Sequence, residues 1–344
     1  MTTDKAKEII RQKKATFGKR LVILGHHYQS DKVVEFCDYI GDSLELARKA
    51  STIADAEVIV FCGVYFMAET ASILAPDKVV YIPDAKAGCP LADMAEPKDV
   101  EDAWGIITDI TRSITPITYV NSSAEIKAFC GRNSGVVCTS GNAARVFEWA
   151  FKRTDKIIFF PDKNLGGNTA VSMGIPEDMI AQWDPSRKGG GLDEEAIAKA
   201  KVILWNGWCP VHWPGLDPSD VGMVRKKYPG IKVIVHPEAD PKTVELSDAK
   251  GSTAQILNYV RSLPKGTGVA IGTEFNMVNR VRADFSRALN VIPLKKVFCD
   301  DMARITAEKI ALTLSDLDKA HRVKVPDKIA TDAKIALEAM LEIS

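Results

Sequence analysis

One pattern runs through this chain three times and constrains its fold more than any other feature. A short apolar run ends in a polar pair spaced i, i+2. A hydroxyl then opens a helix, two more apolar runs follow, and the last leads to a cysteine. The pairs are His26/Tyr28, Tyr119/Asn121 and His236/Glu238. The hydroxyls are Ser43, Ser140 and Ser252/Thr253, and the cysteines are Cys89, Cys209 and Cys299. His26 and Cys89 are 63 residues apart, and so are His236 and Cys299. Tyr119 and Cys209 are 90 apart, a difference roughly accounted for by a Gly- and Pro-rich insertion near 169–192. Self-similarity of this kind specifies one structural unit used repeatedly.

Within each round the apolar runs alternate with helical spacing. RLVILG (20–25), EVIVFC (57–62) and KVVYI (78–82) read as buried strands. A helix to about Asp38, GDSLELARKASTIA and FMAETASIL read as the helices between them. ITYV, VVC, KIIFF and the run ending at Trp205 repeat the scheme, as do IKVIV, Val269–Gly272 and Val297–Phe298. Alternation of strand and helix makes parallel, layered α/β units. Three of them around a pseudo-threefold axis would aim all the strand-end groups at one central cavity, the edge where open parallel sheets bind ligands. The expected division is 1–100, 101–213 with the insertion, and 214–299, followed by a C-terminal helical segment, 300–344, broken at Val325–Pro326.

The stretch Leu204–Trp213, LWNGWCPVHW, carries the chemistry most plainly, with Cys209 and His212 just past a strand. Thiolates select iron–sulfur clusters, zinc or copper(I). One cysteine per unit gives three ligands, which on a four-iron cluster leaves one iron open as a Lewis acid. A free cysteine is more often a small buried hydrophobe, and Cys37, Cys62, Cys130 and Cys138 fit that description. The equivalent placement of Cys89, Cys209 and Cys299 favours one shared iron–sulfur cluster. His26, His212 and His236 are three of five histidines, all at strand ends beside other polar groups, and His236 with Glu238 offers a paired acid and base. Helix-start hydroxyls serve equally as caps or as anion sites.

Composition closes off several classes. Lys plus Arg is 45 and Asp plus Glu is 45, so no basic face for nucleic acid is expected. No long apolar run or signal peptide is evident, and no membrane partner is expected. Seven scattered cysteines argue for reduced thiols and a cytoplasmic location rather than a disulfide framework. No GxGxxG or Walker loop calls for a nucleotide. Two rivals remain, a cluster-dependent hydro-lyase and a non-catalytic iron–sulfur sensor, and the absence of a basic region disfavours the sensor.

The motifs GHHYQ, GDSLELA, GVYFMAETASIL, YVNSSAEIKA, CTSGNA, WNGWCPVH, HPE, GST, IGTE and CDDM…VKVPDKI, in this order, resemble the quinolinate synthase family over essentially the whole chain. The resemblance implies three αβα, Rossmann-like units around a pseudo-threefold axis and a [4Fe–4S] cluster. It implies condensation of iminoaspartate with dihydroxyacetone phosphate to quinolinate, phosphate and water in NAD biosynthesis. Functional coupling to an L-aspartate oxidase or dehydrogenase is implied too. By motif, Cys89, Cys209 and Cys299 are implied as cluster ligands. His26, Ser43, Tyr119, Asn121, Ser140, His212, His236, Glu238, Ser252 and Thr253 are implied to bind substrate. Tyr28, Tyr119, Asn121, His236 and Glu238 are implied to act on intermediates. Gly25 stands where Ala is common in the family, Ala239 where many members have Cys, and the insertion is longer than in compact members.

Overall fold

A computed structural model describes residues 1–343. Its strands are β1 (Leu21–His26), β2 (Tyr39–Gly41), β3 (Val58–Cys62), β4 (Val79–Tyr81), β5 (Ile114–Tyr119), β6 (Val136–Cys138) and β7 (Lys156–Phe160). They continue with β8 (Ile180–Trp183), β9 (Val202–Trp205), β10 (Lys232–Val235), β11 (Ala249–Lys250), β12 (Gly268–Gly272), β13 (Asn290–Pro293) and β14 (Arg322–Val323). The inner strands are continuous apolar runs buried on both faces, as parallel strands covered by helices must be.

Three sheets result, ordered β14-β4-β3-β1-β2, β6-β5-β7-β9-β8 and β11-β10-β12-β13. In each, the strand ending in a polar pair lies between the strand leading to the hydroxyl and the strand that comes third. His26 is thus opposite Gly41, Tyr119 opposite Cys138, and Val235 opposite Lys250. The order in which strands are added reverses at that first strand, which opens a crevice outside its carboxyl end. All pairings are parallel except β14 with β4.

Several expectations change in detail. The helix after His26 ends at Val34, because Asp38 bonds the β1 backbone through both its amide (Asp38 N–H to Ile23 O, 2.8 Å) and its carboxylate (Ile23 N–H to Oδ2, 2.8 Å). Thr169 belongs to a helix, Lys163–Ser172, and the insertion beyond it supplies β8, an added edge strand beside β9. Ser43 is the first residue of its helix, capped by Asp42, and Ser252 is a true cap. Ser140 instead lies in the turn ahead of helix Ala143–Phe151. The segment after Cys299 contributes β14 as well as helices. Its last helix, Asp327–Ile343, packs on Ala124–Arg132, where Gly131 permits an approach that brings Asp332 O within 1.9 Å of where a Cβ would stand.

Candidate active site

The carboxyl ends of the three sheets face one common cavity. Cys89, Cys209 and Cys299 line it, each half-buried, and all seven cysteines are free thiols. His26, Tyr28, Ser43, Tyr119, Asn121, Ser140, His212, His236, Glu238 and Thr253 line it too. Of the residues singled out from sequence, Ser252 alone lies behind the wall, bonding Asp42 Oδ2 at 3.4 Å and capping its own helix through Gln255 N–H at 3.3 Å. Cys62, Cys130 and Cys138 are fully buried away from the cavity.

Cys89 and Cys299 are built alike. Each occupies the cap position of a four-residue helical turn, Pro90–Asp93 and Asp300–Ala303. The amides of Leu91 and Ala92 face one sulfur and those of Asp301 and Met302 the other, easing ionisation. Burial works against them: it pushes Cys89 up strongly and Cys299 to about 11. Cys209 is raised by burial, then by Glu238, Cys89, Asp162 and Cys299. Cys299 also raises Cys89, and thiols so close and so buried need a bound cation to coexist as thiolates. The donor set therefore fits a metal centre. A second constellation shares Cys209: one ligand atom each from Cys209, His212 and Glu238 lies within 4.8 Å of the others.

Glu238 is the electrostatic centre. Its Oε2 lies 2.5 Å from His212 Nδ1 and 3.3 Å from His236 Nδ1, and the two rings stack at 4.4 Å. Burial alone would raise its pKa, but the two imidazoles outweigh that and hold it well below the carboxylate range. His212 Nε2 lies 3.3 Å from Tyr28 Oη and 3.1 Å from Thr273 Oγ1, and these two hydroxyls are 2.7 Å apart. Burial, then Glu238, pushes the Tyr28 and Tyr119 phenols up, so both remain protonated donors. His26 is held low by burial, then by His27 and His236. Its Nδ1 accepts Tyr28 N–H at 3.1 Å, which leaves the ring proton on Nε2. His236 Nδ1 faces Glu238 N–H in the same way at 3.4 Å.

The helix after the third strand of each sheet holds the polar-pair loop of a neighbouring sheet. From the first sheet, Glu69 Oε2 on helix Tyr65–Leu74 accepts Ala124 N–H at 3.1 Å, just beyond the Tyr119/Asn121 loop. From the second, Asn164 donates to Glu238 O at 3.2 Å. Asn168 donates to Pro237 O and Ala239 O, both at 2.9 Å. From the third, Asn276 donates to Tyr28 O at 3.3 Å, and Arg280 to Gln29 O at 3.0 Å and to His27 O. Lys127, fully buried and pushed down to about 8 by burial, donates to Ser122 O beside Asn121. Asp162 caps the Lys163–Ser172 helix and accepts Cys209 N–H at 3.2 Å.

Sequence pattern marks none of these supporting groups. Asn and Lys inside helices read as solvent-facing residues, and only their i, i+4 spacing at 164 and 168 hints at a shared face.

Residues 7–342 match the family described as quinolinate synthetase A protein. A quinolinate synthase from Corynebacterium glutamicum is 43% identical over 342 residues, covering 97% of this chain and 86% of that protein. Those from Acidobacterium capsulatum and Geobacillus kaustophilus are each 44% identical, covering 98% and 97% of this chain and 92% of each relative. With a match along nearly its whole length and relatives of this similarity, the chain belongs to the quinolinate synthase family, enzymes of NAD biosynthesis.

Proposed function

We propose that the protein condenses iminoaspartate with dihydroxyacetone phosphate to quinolinate, phosphate and water, in a cavity that also carries a [4Fe–4S] cluster on Cys89, Cys209 and Cys299. One observation carries this most: three thiols from three sheets meet in the same cavity as a carboxylate bracketed by two imidazoles. When bound, the cluster would supply a Lewis-acidic iron that eases departure of hydroxyl as water.

The chain's own residues do the rest. Ser43 and Thr253 open two helices, where backbone N–H groups and hydroxyls receive carboxylates, and Ser140 adds a third hydroxyl. Thr253 Oγ1 and Asn121 Oδ1 are buried without partners, so a ligand would satisfy them. His26 donates from Nε2 to an anionic substrate group. Glu238 Oε1 is likewise without a partner and takes the proton lost as the enamine forms and the ring aromatises. Its other oxygen, Oε2, lies 2.5 Å from His212 Nδ1 and so couples the carboxylate to an imidazole whose far nitrogen faces the hydroxyls of Tyr28 and Thr273. Tyr119, a neutral phenol next to Glu238, returns a proton to the leaving hydroxyl.

The common strand order and the three helix-to-loop bonds support three αβα units arranged around a pseudo-threefold axis, with boundaries near residues 100, 213 and 299. Among the described residues no helix is long and apolar enough to cross a membrane. The free thiols favour a cytoplasmic setting, in which an aspartate-oxidising enzyme supplies iminoaspartate. Anaerobic incubation of reconstituted protein with both substrates should yield quinolinate and phosphate in equal amounts. Dehydration of a simple hydroxy acid without quinolinate would instead identify a hydro-lyase.

A further inference from the structure

Cys209 belongs to two ligand sets. The first is the cysteine triad. The second brings Cys209 Sγ, a His212 ring nitrogen and a Glu238 oxygen within 4.8 Å of one another. Tetrahedral Zn²⁺ with sulfur, nitrogen and oxygen ligands sets its donors roughly 3.4–3.6 Å apart. Side-chain rotations that draw the sulfur inward and part His212 Nδ1 from the carboxylate, now 2.5 Å away at Oε2, give that spacing.

Two details of His212 and Glu238 point to a cation. His212 Nε2 is engaged by the hydroxyls of Tyr28 and Thr273 at 3.3 and 3.1 Å, the outer hydrogen bonding that orients a metal-bound imidazole. Its Nδ1, although 2.5 Å from Glu238 Oε2, has no aligned hydrogen-bond partner, and neither has Glu238 Oε1. Both residues are almost wholly buried. Buried lone pairs without donors are costly, and one divalent ion would satisfy both. The stacked His236 ring fixes the plane of His212.

We propose that the cluster-free protein binds one thiophilic divalent cation, Zn²⁺ in particular, on Cys209, His212 Nδ1 and Glu238. A fourth position stays open to water, since three protein ligands leave a tetrahedral site incomplete. Occupancy of this site blocks cluster assembly, a consequence that rests on the cluster-ligand assignment above; the zinc site itself does not.

The test uses full-length, iron-free protein titrated with Zn²⁺ alone against a chromogenic chelator. One Zn²⁺ per chain is expected. Binding should weaken at least tenfold in Cys209→Ser and Glu238→Gln and stay unchanged in Cys89→Ser and Cys299→Ser. Melting curves establish that each variant is folded. Co²⁺ substitution gives a second readout: the thiolate charge-transfer band should vanish in Cys209→Ser and persist in Cys89→Ser. Equal loss of zinc in Cys89→Ser or Cys299→Ser would mean that the cysteine triad holds the ion, overturning the proposal. Undiminished binding in Glu238→Gln, or no stoichiometric uptake by the parent protein, would overturn it equally. Iron and sulfide reconstitution separates the two assignments. If Cys89→Ser binds zinc as expected yet assembles a full cluster, the zinc site stands and the cluster ligands are wrong.

Discussion

Glu238 holds a negative charge in a place where burial opposes it, and His212 and His236 make that possible. Removing the charge while keeping the shape isolates its part in proton transfer. Glu238→Gln should fold and bind quinolinate yet lose turnover by ~10²-fold or more, read from steady-state rates alongside product titration. The same residues set the response to acid. His26 and His212 have pKa values below the ordinary 6.5 in the folded protein, so below that pH the unfolded chain binds more protons and stability falls. Glu238, depressed in the fold, adds stability above the ordinary carboxylate value of 4.5 that is lost as pH drops through its folded pKa. These two histidines should make the thermal midpoint decline as pH drops below about 6.5, and less steeply in His26→Asn. Gly25 also finds its explanation here: a Cβ there would sit 2.4 Å from Cys37 Sγ. Gly25→Ala should cost about 1–3 kcal/mol, and adding Cys37→Ala should restore most of it, a coupling measured by urea denaturation of both variants.

Helices after the third strands hold the polar-pair loops from behind; the first, Tyr65–Leu74, is legible as FMAETASIL, and the other two are not. Apolar runs located β1, β3, β5, β7, β9, β10 and β12 because strands buried on both faces must be continuously hydrophobic. The strand-end pairs and cysteines followed from their spacing. Helix Lys163–Ser172 escaped because its Gly166, Gly167, Asn164 and Asn168 argue locally for a loop. In the fold, a Cβ on Gly166 would strike Leu204 and Phe159 at 2.6 Å, and the two asparagines serve the Pro237–Ala239 carbonyls. Strand β14 and the short β2 and β11 escaped because two or three residues carry no period, and the strand expected at Val297–Phe298 lies instead at Asn290–Pro293. Asn168→Leu removes donors to two carbonyls and should lower kcat more than it raises KM, with a shifted acid limb of the pH–rate profile. A fall in melting temperature alone would make this asparagine purely structural. Gly131→Val, at the crossing with helix Asp327–Ile343, should destabilise by about 2 kcal/mol or more, seen as a lower urea midpoint with no change in site ligand affinity.

Across the whole molecule, three sheets of one strand order deliver one cysteine each to a common cavity. Any one of Cys89→Ala, Cys209→Ala or Cys299→Ala should abolish both iron content and quinolinate formation. Ser at Cys37, Cys62, Cys130 or Cys138 should leave iron content intact, since burial or distance keeps those sulfurs out of the cavity. The proposed Lewis-acid chemistry requires that the product meet iron in that cavity. Quinolinate offers a ring nitrogen beside a carboxylate, a chelating pair for an iron without a protein ligand. Magnetic resonance on the reduced, reconstituted protein with quinolinate labelled at its ring nitrogen tests this directly. Magnetic coupling between the label and the cluster is expected. A cluster signal unchanged by bound, labelled quinolinate would contradict the account, leaving the cluster structural and the chemistry elsewhere.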